Sequence, residues 1–72
     1  MTDKQLKKLM DKTLILAIKH RETLRLLESE YFKRFGHNPS EVDDDFFIDT
    51  FHYGNGGLVT VEQLTDNAKL YS

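Results

Sequence analysis

The sequence LKKLMDKTLILAIKHRETLRLLESEYFKRFG, residues 6–36, decides the fold because its apolar residues recur at spacings of three and four. That spacing is typical of an amphipathic helix with one broad apolar stripe. Thr2 or Asp3 can cap the first amide groups, and Gly36 and Pro39 are residues that end a helix. The sequence therefore predicts one uninterrupted helix over residues 3–35.

The apolar stripe of this helix is too long for the rest of the chain to cover. At 1.5 Å per residue the helix would measure about 50 Å. A globule of this chain length is only about 22 to 25 Å across. A second copy is the simplest cover, so we expect a homodimer, built as a homodimeric helical bundle. The residues expected in that self-association are Leu6, Met10, Thr13, Ala17, Leu24, Leu27 and Tyr31.

A second apolar face lies off the main stripe and carries Ile15, Ile18 and Leu26. Two charged residues, Arg21 and Glu28, lie on or beside the stripe, seven residues apart. They are compatible with a buried ion pair that fixes the register between helices. They are also compatible with a pair at the edge of the stripe, with buried stems and charges in water, and we favour that interpretation.

A second helix is predicted over residues 41–53, with Ser40 as its cap. Its apolar side chains point in two directions, and such a short helix either is sandwiched or offers an aromatic face to a partner. Little protein remains to sandwich it, so we expect a partner-binding surface here. The expected anchors are Phe46, Phe47, Phe51 and Tyr53, with Asp44 and Asp45 attracting a basic partner.

A third helix is predicted over residues 60–70. Thr60 and Gln63 have the spacing of a capping box, and Val59 and Leu64 that of a hydrophobic staple. The three segments predict an all-α fold in one small domain over residues 1–72. In that fold a long N-terminal helix is packed by two short helices.

The segment from Ile48 to Leu64 resembles an EF-hand. Ile48 and Phe51 stand at the apolar pair of the entering helix, Gly57 at the loop glycine and Val59 at the central apolar position. The resemblance implies a helix–loop–helix shape. The calcium-ligand positions hold His52, Gly54, Gly56 and Gln63, whereas calcium requires oxygen ligands and a final bidentate glutamate. Calcium binding of that kind is therefore not expected.

Composition sets the class of protein. The 72 residues include no cysteine and no tryptophan, so neither disulfides nor a thiolate metal site can stabilise the fold. No apolar run has the length of a membrane span, and the charged N-terminus lacks the apolar core of a secretory signal. We therefore expect a cytoplasmic protein without membrane contact.

Charge divides unevenly along the chain. Residues 1–36 hold nine of the ten basic residues and carry a charge of +4, whereas residues 37–72 carry −6, which together give the net −2. Such asymmetry is typical of nucleic-acid binding by the basic half. It is also typical of two halves that attract each other, or that attract the opposite halves of a second copy, and we favour that interpretation.

No catalytic motif is present. The sequence has no cysteine nucleophile, nucleophile elbow, phosphate-binding glycine loop or metalloprotease His pair. Asp45, Asp49 and His52 form a row on the second helix, but a fourth metal ligand is not indicated, so we interpret the row as a solvated polar strip. We therefore predict a protein that is not an enzyme and binds no metal or cofactor.

Two functions follow from these features. The favoured one is a non-enzymatic protein–protein interaction module, a small adaptor or inhibitor of the kind that phages and plasmids carry as accessory proteins. Its protein partner is not identified by the sequence. The alternative is a nucleic-acid-binding regulatory protein. The residues expected to contact nucleic acid lie on the polar side of the first helix and are Lys4, Lys7, Lys8, Lys12 and Lys19.

Overall fold

Four α-helices and one π-helical turn form the described part of the chain. The computed structural model describes residues 1–16 and 20–71. The helices are α1 (Asp3–Ile15), α2 (His20–Phe35), α3 (Asp45–Phe47) and α4 (Val61–Lys69), and α3 continues directly into a π-helical turn, Ile48–His52. The described residues contain no strand. The prediction of an all-α fold is confirmed.

The prediction of one uninterrupted helix over residues 3–35 is wrong. The chain leaves α1 at Leu16, whose backbone is extended (φ −88°, ψ 96°). Helix α2 then runs antiparallel to α1. At one end of this pair His20 Nδ1 lies 2.7 Å from Thr13 O, and at the other Arg34 Nη1 donates to Asp3 Oδ1 at 2.7 Å.

The apolar stripe is buried within one chain because α1 and α2 pack face to face. The buried apolar core draws on every helix and on the π-helical turn, and it comprises Leu6, Leu9, Met10, Leu27, Tyr31, Phe47, Phe51, Val59, Leu64 and Ala68. The radius of gyration is 10.9 Å and the longest extent is 32 Å. The 50 Å rod that the stripe predicts does not exist.

The residues predicted for self-association therefore have a different role. Leu6, Met10, Thr13, Leu27 and Tyr31 are at most 1 % exposed. They are covered by their own chain and are not accessible to a second copy. Leu24 is half-buried against the same core, and Ala17 lies outside the described residues. The exposed stripe that motivated the dimer is absent.

Two hydrogen bonds satisfy backbone carbonyls near the end of α1, where the sequence has neither glycine nor proline. Thr13 Oγ1 donates to Leu9 O at 2.8 Å, a bond that weakens and bends a helix near its end. The ring of His20 bonds Thr13 O, one of the carbonyls that a helix end leaves without an amide partner. Together with burial of the stripe, these bonds offset the loss of helical hydrogen bonds.

Arg34 joins the two helices at their other end. Its guanidinium donates to Glu30 Oε2 at 2.8 Å, to Asp3 Oδ1 at 2.7 Å and to Met1 O at 2.8 Å. Glu30 is buried, so its carboxylate depends on this partner. Arginine suits the position because its planar head can donate to several acceptors at once.

We expect Arg34→Ala to lower the free energy of unfolding by about 1 to 3 kcal/mol, because it leaves the Glu30 carboxylate buried without its main donor. Urea denaturation measures the effect. Lys33→Ala is the matched control, because Lys33 is exposed on the same turn. Equal stability of the two variants would contradict the role assigned to Arg34.

The second predicted helix is shorter than expected. Ser40 is not its cap: residues 39–43 form turns, and Asp44 caps α3 by accepting a hydrogen bond from Phe47 N at 3.2 Å. Asp43 precedes it with a left-handed backbone (φ +52°), a conformation that aspartate tolerates better than most residues. The buried Asp44 carboxylate fixes the start of α3.

Helix α4 begins where the sequence predicts. Thr60 and Gln63 form the reciprocal capping box, with bonds of 3.1 and 2.9 Å. Val59 and Leu64, the predicted staple, are both buried. Thr2 and Gln5 form a second capping box at the start of α1.

Among the described residues, none of the helices combines the length and the apolar character needed to cross a bilayer.

Candidate interaction surface

The prediction that Phe47 and Phe51 are partner anchors is wrong. Both are fully buried. The Phe47 ring packs at 5.2 Å from the Tyr31 ring and 4.9 Å from the Phe51 ring, between ring centroids. Because α1 and α2 fold back on each other, the chain holds enough protein to sandwich this short segment. The aromatic face belongs to the core.

Asp44 is also unavailable to a partner. Its carboxylate is fully buried, and it accepts a hydrogen bond from the Tyr31 hydroxyl at 2.7 Å. His37 Nε2 lies 3.3 Å from the same hydroxyl oxygen. Because that hydroxyl donates to Asp44, the His37 ring must donate to it through Nε2–H. The three groups form a polar network inside the aromatic core.

The burial of Tyr31 predicts a loss of stability at alkaline pH. Burial, and then the hydrogen bond to Asp44 and its charge, raise the pKa of Tyr31 above the ordinary tyrosine value of about 10. Stability from the neutral hydroxyl is complete below that ordinary value and decreases as the pH rises above it. Each further pH unit costs up to about 1.4 kcal/mol until the pH reaches the pKa of the folded state.

We therefore expect the free energy of unfolding to fall more steeply between pH 10 and pH 11 in the native chain than in a Tyr31→Phe variant. Urea denaturation at several pH values gives both slopes. The variant retains the other tyrosines and every lysine, so their titration cancels in the comparison. Parallel slopes would contradict the assignment.

The remaining predicted partner residues occupy one exposed region. Tyr53 is 71 % exposed, Asp45 is exposed, and Phe46 is half-buried against the core. Asp49 lies four residues after Asp45 and is also exposed. We call Asp45, Asp49 and Tyr53 the acidic surface. Of the predicted partner residues it retains Asp45 and Tyr53, and Asp49 is an addition that the sequence did not predict as a partner residue.

The π-helical turn holds the acidic surface beside α2. Tyr53 N donates to Ile48 O at 3.2 Å, which closes the wide turn, and Asn55 N donates to Asp49 O at 2.9 Å. His52 Nε2 lies 3.5 Å from Glu28 Oε1 on α2. Glu28 therefore lies against His52, whereas Arg21 is exposed on α2.

Exposed apolar side chains also occur at the end of α1 and on α2. Ile15 is 70 % exposed, Leu16 39 % and Leu26 58 %. An open groove on α2 is lined by Arg21, Glu22, Arg25 and Leu26. We call Ile15, Leu16, Arg21, Arg25 and Leu26 the arginine surface.

The arginine surface was not predicted as a partner site, although a sequence signal for it existed. Ile15 and Leu26 stand off the main stripe in the sequence, together with Ile18, which lies outside the described residues. An apolar residue off the core-facing stripe of a helix is left exposed once that stripe is buried.

The lysines expected to contact nucleic acid differ in their surroundings. Lys4, Lys8 and Lys12 are exposed along one side of α1, and the structure gives them no ion-pair partner within residues 1–16 and 20–71. Lys7 is paired with Asp11, at 2.6 Å. Lys19 lies outside the described residues.

The polar row of Asp45, Asp49 and His52 is compatible with the predicted solvated strip. His52 pairs with Glu28, and the described residues contain no group of three candidate metal ligands. The segment with the EF-hand resemblance does have a helix–loop–helix shape, from the π-helical turn through the glycine loop to α4. Phe51 and Val59 are buried in it, as the resemblance implies.

Comparison with known proteins gives no relative: no protein-family model, no curated protein and no solved structure matches the chain.

Proposed function

We propose that this chain is a non-enzymatic protein–protein interaction module, an adaptor or inhibitor, and that the arginine surface is its binding surface. The observation that supports this proposal is the exposed Leu26 in an open groove on α2 with Arg21 and Arg25, to which the exposed Ile15 and Leu16 at the end of α1 add apolar surface. The proposed binding residues therefore lie on α1 and α2, whereas the sequence predicts them on the second, aromatic helix.

The chemistry of the arginine surface suits a protein partner. Burying a side chain such as Leu26 or Ile15 against a partner is worth about 1.5 to 3 kcal/mol. Arginine is enriched at protein interfaces, where its flat head covers apolar groups and pairs with carboxylates. A mixed surface of this kind provides both affinity and orientation.

Affinity capture followed by mass spectrometry tests the proposal. Immobilised native chain is compared with Leu26→Asp and with Leu70→Asp, a matched control because Leu70 is 77 % exposed and lies beyond α4. We expect a partner to be retained by the native chain and by Leu70→Asp and lost with Leu26→Asp. Purified partner then gives the dissociation constants. Equal binding by all three chains would contradict the proposal.

A specific observation favours nucleic acid as a second candidate function. Lys4, Lys8 and Lys12 stand one helical turn apart, about 6 Å between neighbours along the axis, and each is exposed. A row of lysines of this kind can lie along a phosphate backbone and release its counterions. Residues 1–36 carry the positive charge of the chain, which supports the same candidate.

The salt dependence of binding to random duplex DNA tests this candidate. Replacing Lys8 and Lys12 by alanine removes two phosphate contacts, so the slope of log K against log salt concentration should become shallower by about 2. Lys33→Ala with Lys69→Ala is the matched control, since both lysines are exposed elsewhere. Absence of binding at low salt, or the same slope for both double variants, would exclude this function.

A further inference from the structure

We propose that the arginine surface is occupied by the acidic surface of a second copy of this chain. The inference rests on the proposed function, since it uses the same binding surface, which the second copy occupies when no other protein partner is bound. The contact between copies uses these exposed residues. It does not use the apolar stripe, which is buried inside each chain.

The two surfaces are complementary in charge. The arginine surface carries Arg21 and Arg25, both exposed, and neither has an ion-pair partner within the described chain. The acidic surface carries Asp45 and Asp49, also exposed and also without such a partner there. Glu22 also lines the groove and is exposed, so the two arginines and this glutamate leave a net charge of +1, opposite in sign to the two aspartates of the acidic surface.

The two surfaces are also complementary in apolar character. Leu26 and Ile15 on the arginine surface are more than half exposed, and Tyr53 on the acidic surface is 71 % exposed. Tyrosine and arginine are the residues that most often dominate the binding energy of an interface. A tyrosine ring covers apolar groups and arginine heads alike.

The two surfaces are linked through one contact between α2 and the π-helical turn. Arg25 is three residues before Glu28 on α2, about one helical turn. Glu28 contacts His52, and Tyr53 is the next residue along the chain. A two-fold axis between the surfaces would place each one on its counterpart in the second copy. The contact would then form twice, as in an isologous dimer.

Charge reversal on one surface at a time tests the proposal. The first variant carries Arg21→Glu and Arg25→Glu, and the second carries Asp45→Lys and Asp49→Lys. Light scattering over a dilution series at low salt gives the mass of the native chain, of each variant and of their equimolar mixture. Circular dichroism verifies that each chain retains its helices, as substitution at exposed positions predicts.

We expect the native chain to form a dimer of twice 8.4 kDa that dissociates on dilution, and each variant alone to be monomeric. The mixture should dimerise, because both contacts then pair opposite charges again. Two control variants match the change in net charge at exposed positions outside the two surfaces, and both should dimerise. They are Lys8→Glu with Lys12→Glu, and Glu62→Lys with Asp66→Lys.

Several results would overturn the inference. A native chain that is monomeric at every concentration contradicts it, as does a dimer that both charge-reversed variants retain or that their mixture fails to restore. These results leave the proposed function intact if Leu26→Asp still abolishes capture of another protein. Failure of that capture experiment together with a monomeric native chain would overturn both proposals.

Discussion

Phe47→Ala is expected to lower the free energy of unfolding by about 3 to 5 kcal/mol, the usual cost of deleting a buried aromatic ring. Phe47 is fully buried, and its ring contacts the rings of Tyr31, Phe51 and His52. The total stability of a native domain is only about 5 to 15 kcal/mol. The variant should therefore unfold at much lower urea concentration than the native chain.

Phe32→Ala is the matched control for this prediction, because Phe32 is half exposed on α2. Phe32→Ala should lower the free energy of unfolding by less than about 1 kcal/mol, because a half-exposed ring loses few buried contacts. A Phe47→Ala chain with native stability would contradict the buried position. It would restore the earlier interpretation of Phe47 as an exposed partner anchor.

Tyr31→Phe is expected to cost about 1 to 3 kcal/mol although it removes a single oxygen atom. The substitution leaves the fully buried Asp44 carboxylate with the Phe47 amide as its remaining donor, and a buried group that loses its partner costs more than an exchanged hydrogen bond. It also deprives the His37 ring of its acceptor. Tyr53→Phe, at an exposed position, is the control and should change stability by less than about 0.5 kcal/mol.

A double-mutant cycle separates the Tyr31–Asp44 bond from loss of packing. The second substitution is Asp44→Asn, which retains an oxygen able to cap α3. The effects of the two substitutions should be non-additive, with a coupling of about 0.5 to 3 kcal/mol between residues in direct contact. Additive effects would mean that the bond contributes nothing specific to stability.

The parts of the fold that the sequence predicts correctly depend on signals within a few residues. The capping box of Thr60 and Gln63, with Val59 and Leu64 packed around it, placed the start of α4. At α3 the predicted cap, Ser40, is not the cap that the fold uses. Asp44 is the cap because Tyr31, thirteen residues away in sequence, holds its carboxylate in the core.

The end of α1 had no comparable signal. The residues around Leu16 include neither glycine nor proline, and the apolar periodicity continues through them. The helix ends there because packing α1 against α2 buries the stripe, which is a tertiary effect that outweighs local helix propensity.

The prediction of a partner site at Phe47 and Phe51 depends on the prediction of an uninterrupted first helix, which is wrong. A rod-like first helix leaves too little protein to cover Phe47 and Phe51, so an exposed aromatic face was the logical expectation. Once α1 and α2 pack together, the same side chains complete the core. What then remains exposed is the opposite face of the first two helices, including Leu26 and Ile15.

The distance between the two ends of the helix pair tests the central claim most directly. The chain has no cysteine, so Lys4→Cys with Lys33→Cys introduces the only two sites for spin labels. Both positions are exposed and adjoin the Asp3–Arg34 contact of 2.7 Å. Dilution with excess unlabelled chain removes distances between copies.

We predict a short distance between the labels within one chain, unchanged by that dilution. A continuous helix would separate residues 4 and 33 by about 44 Å at 1.5 Å per residue. A distribution centred near that value would contradict the antiparallel α1–α2 pair, and with it the core and both surfaces built on it.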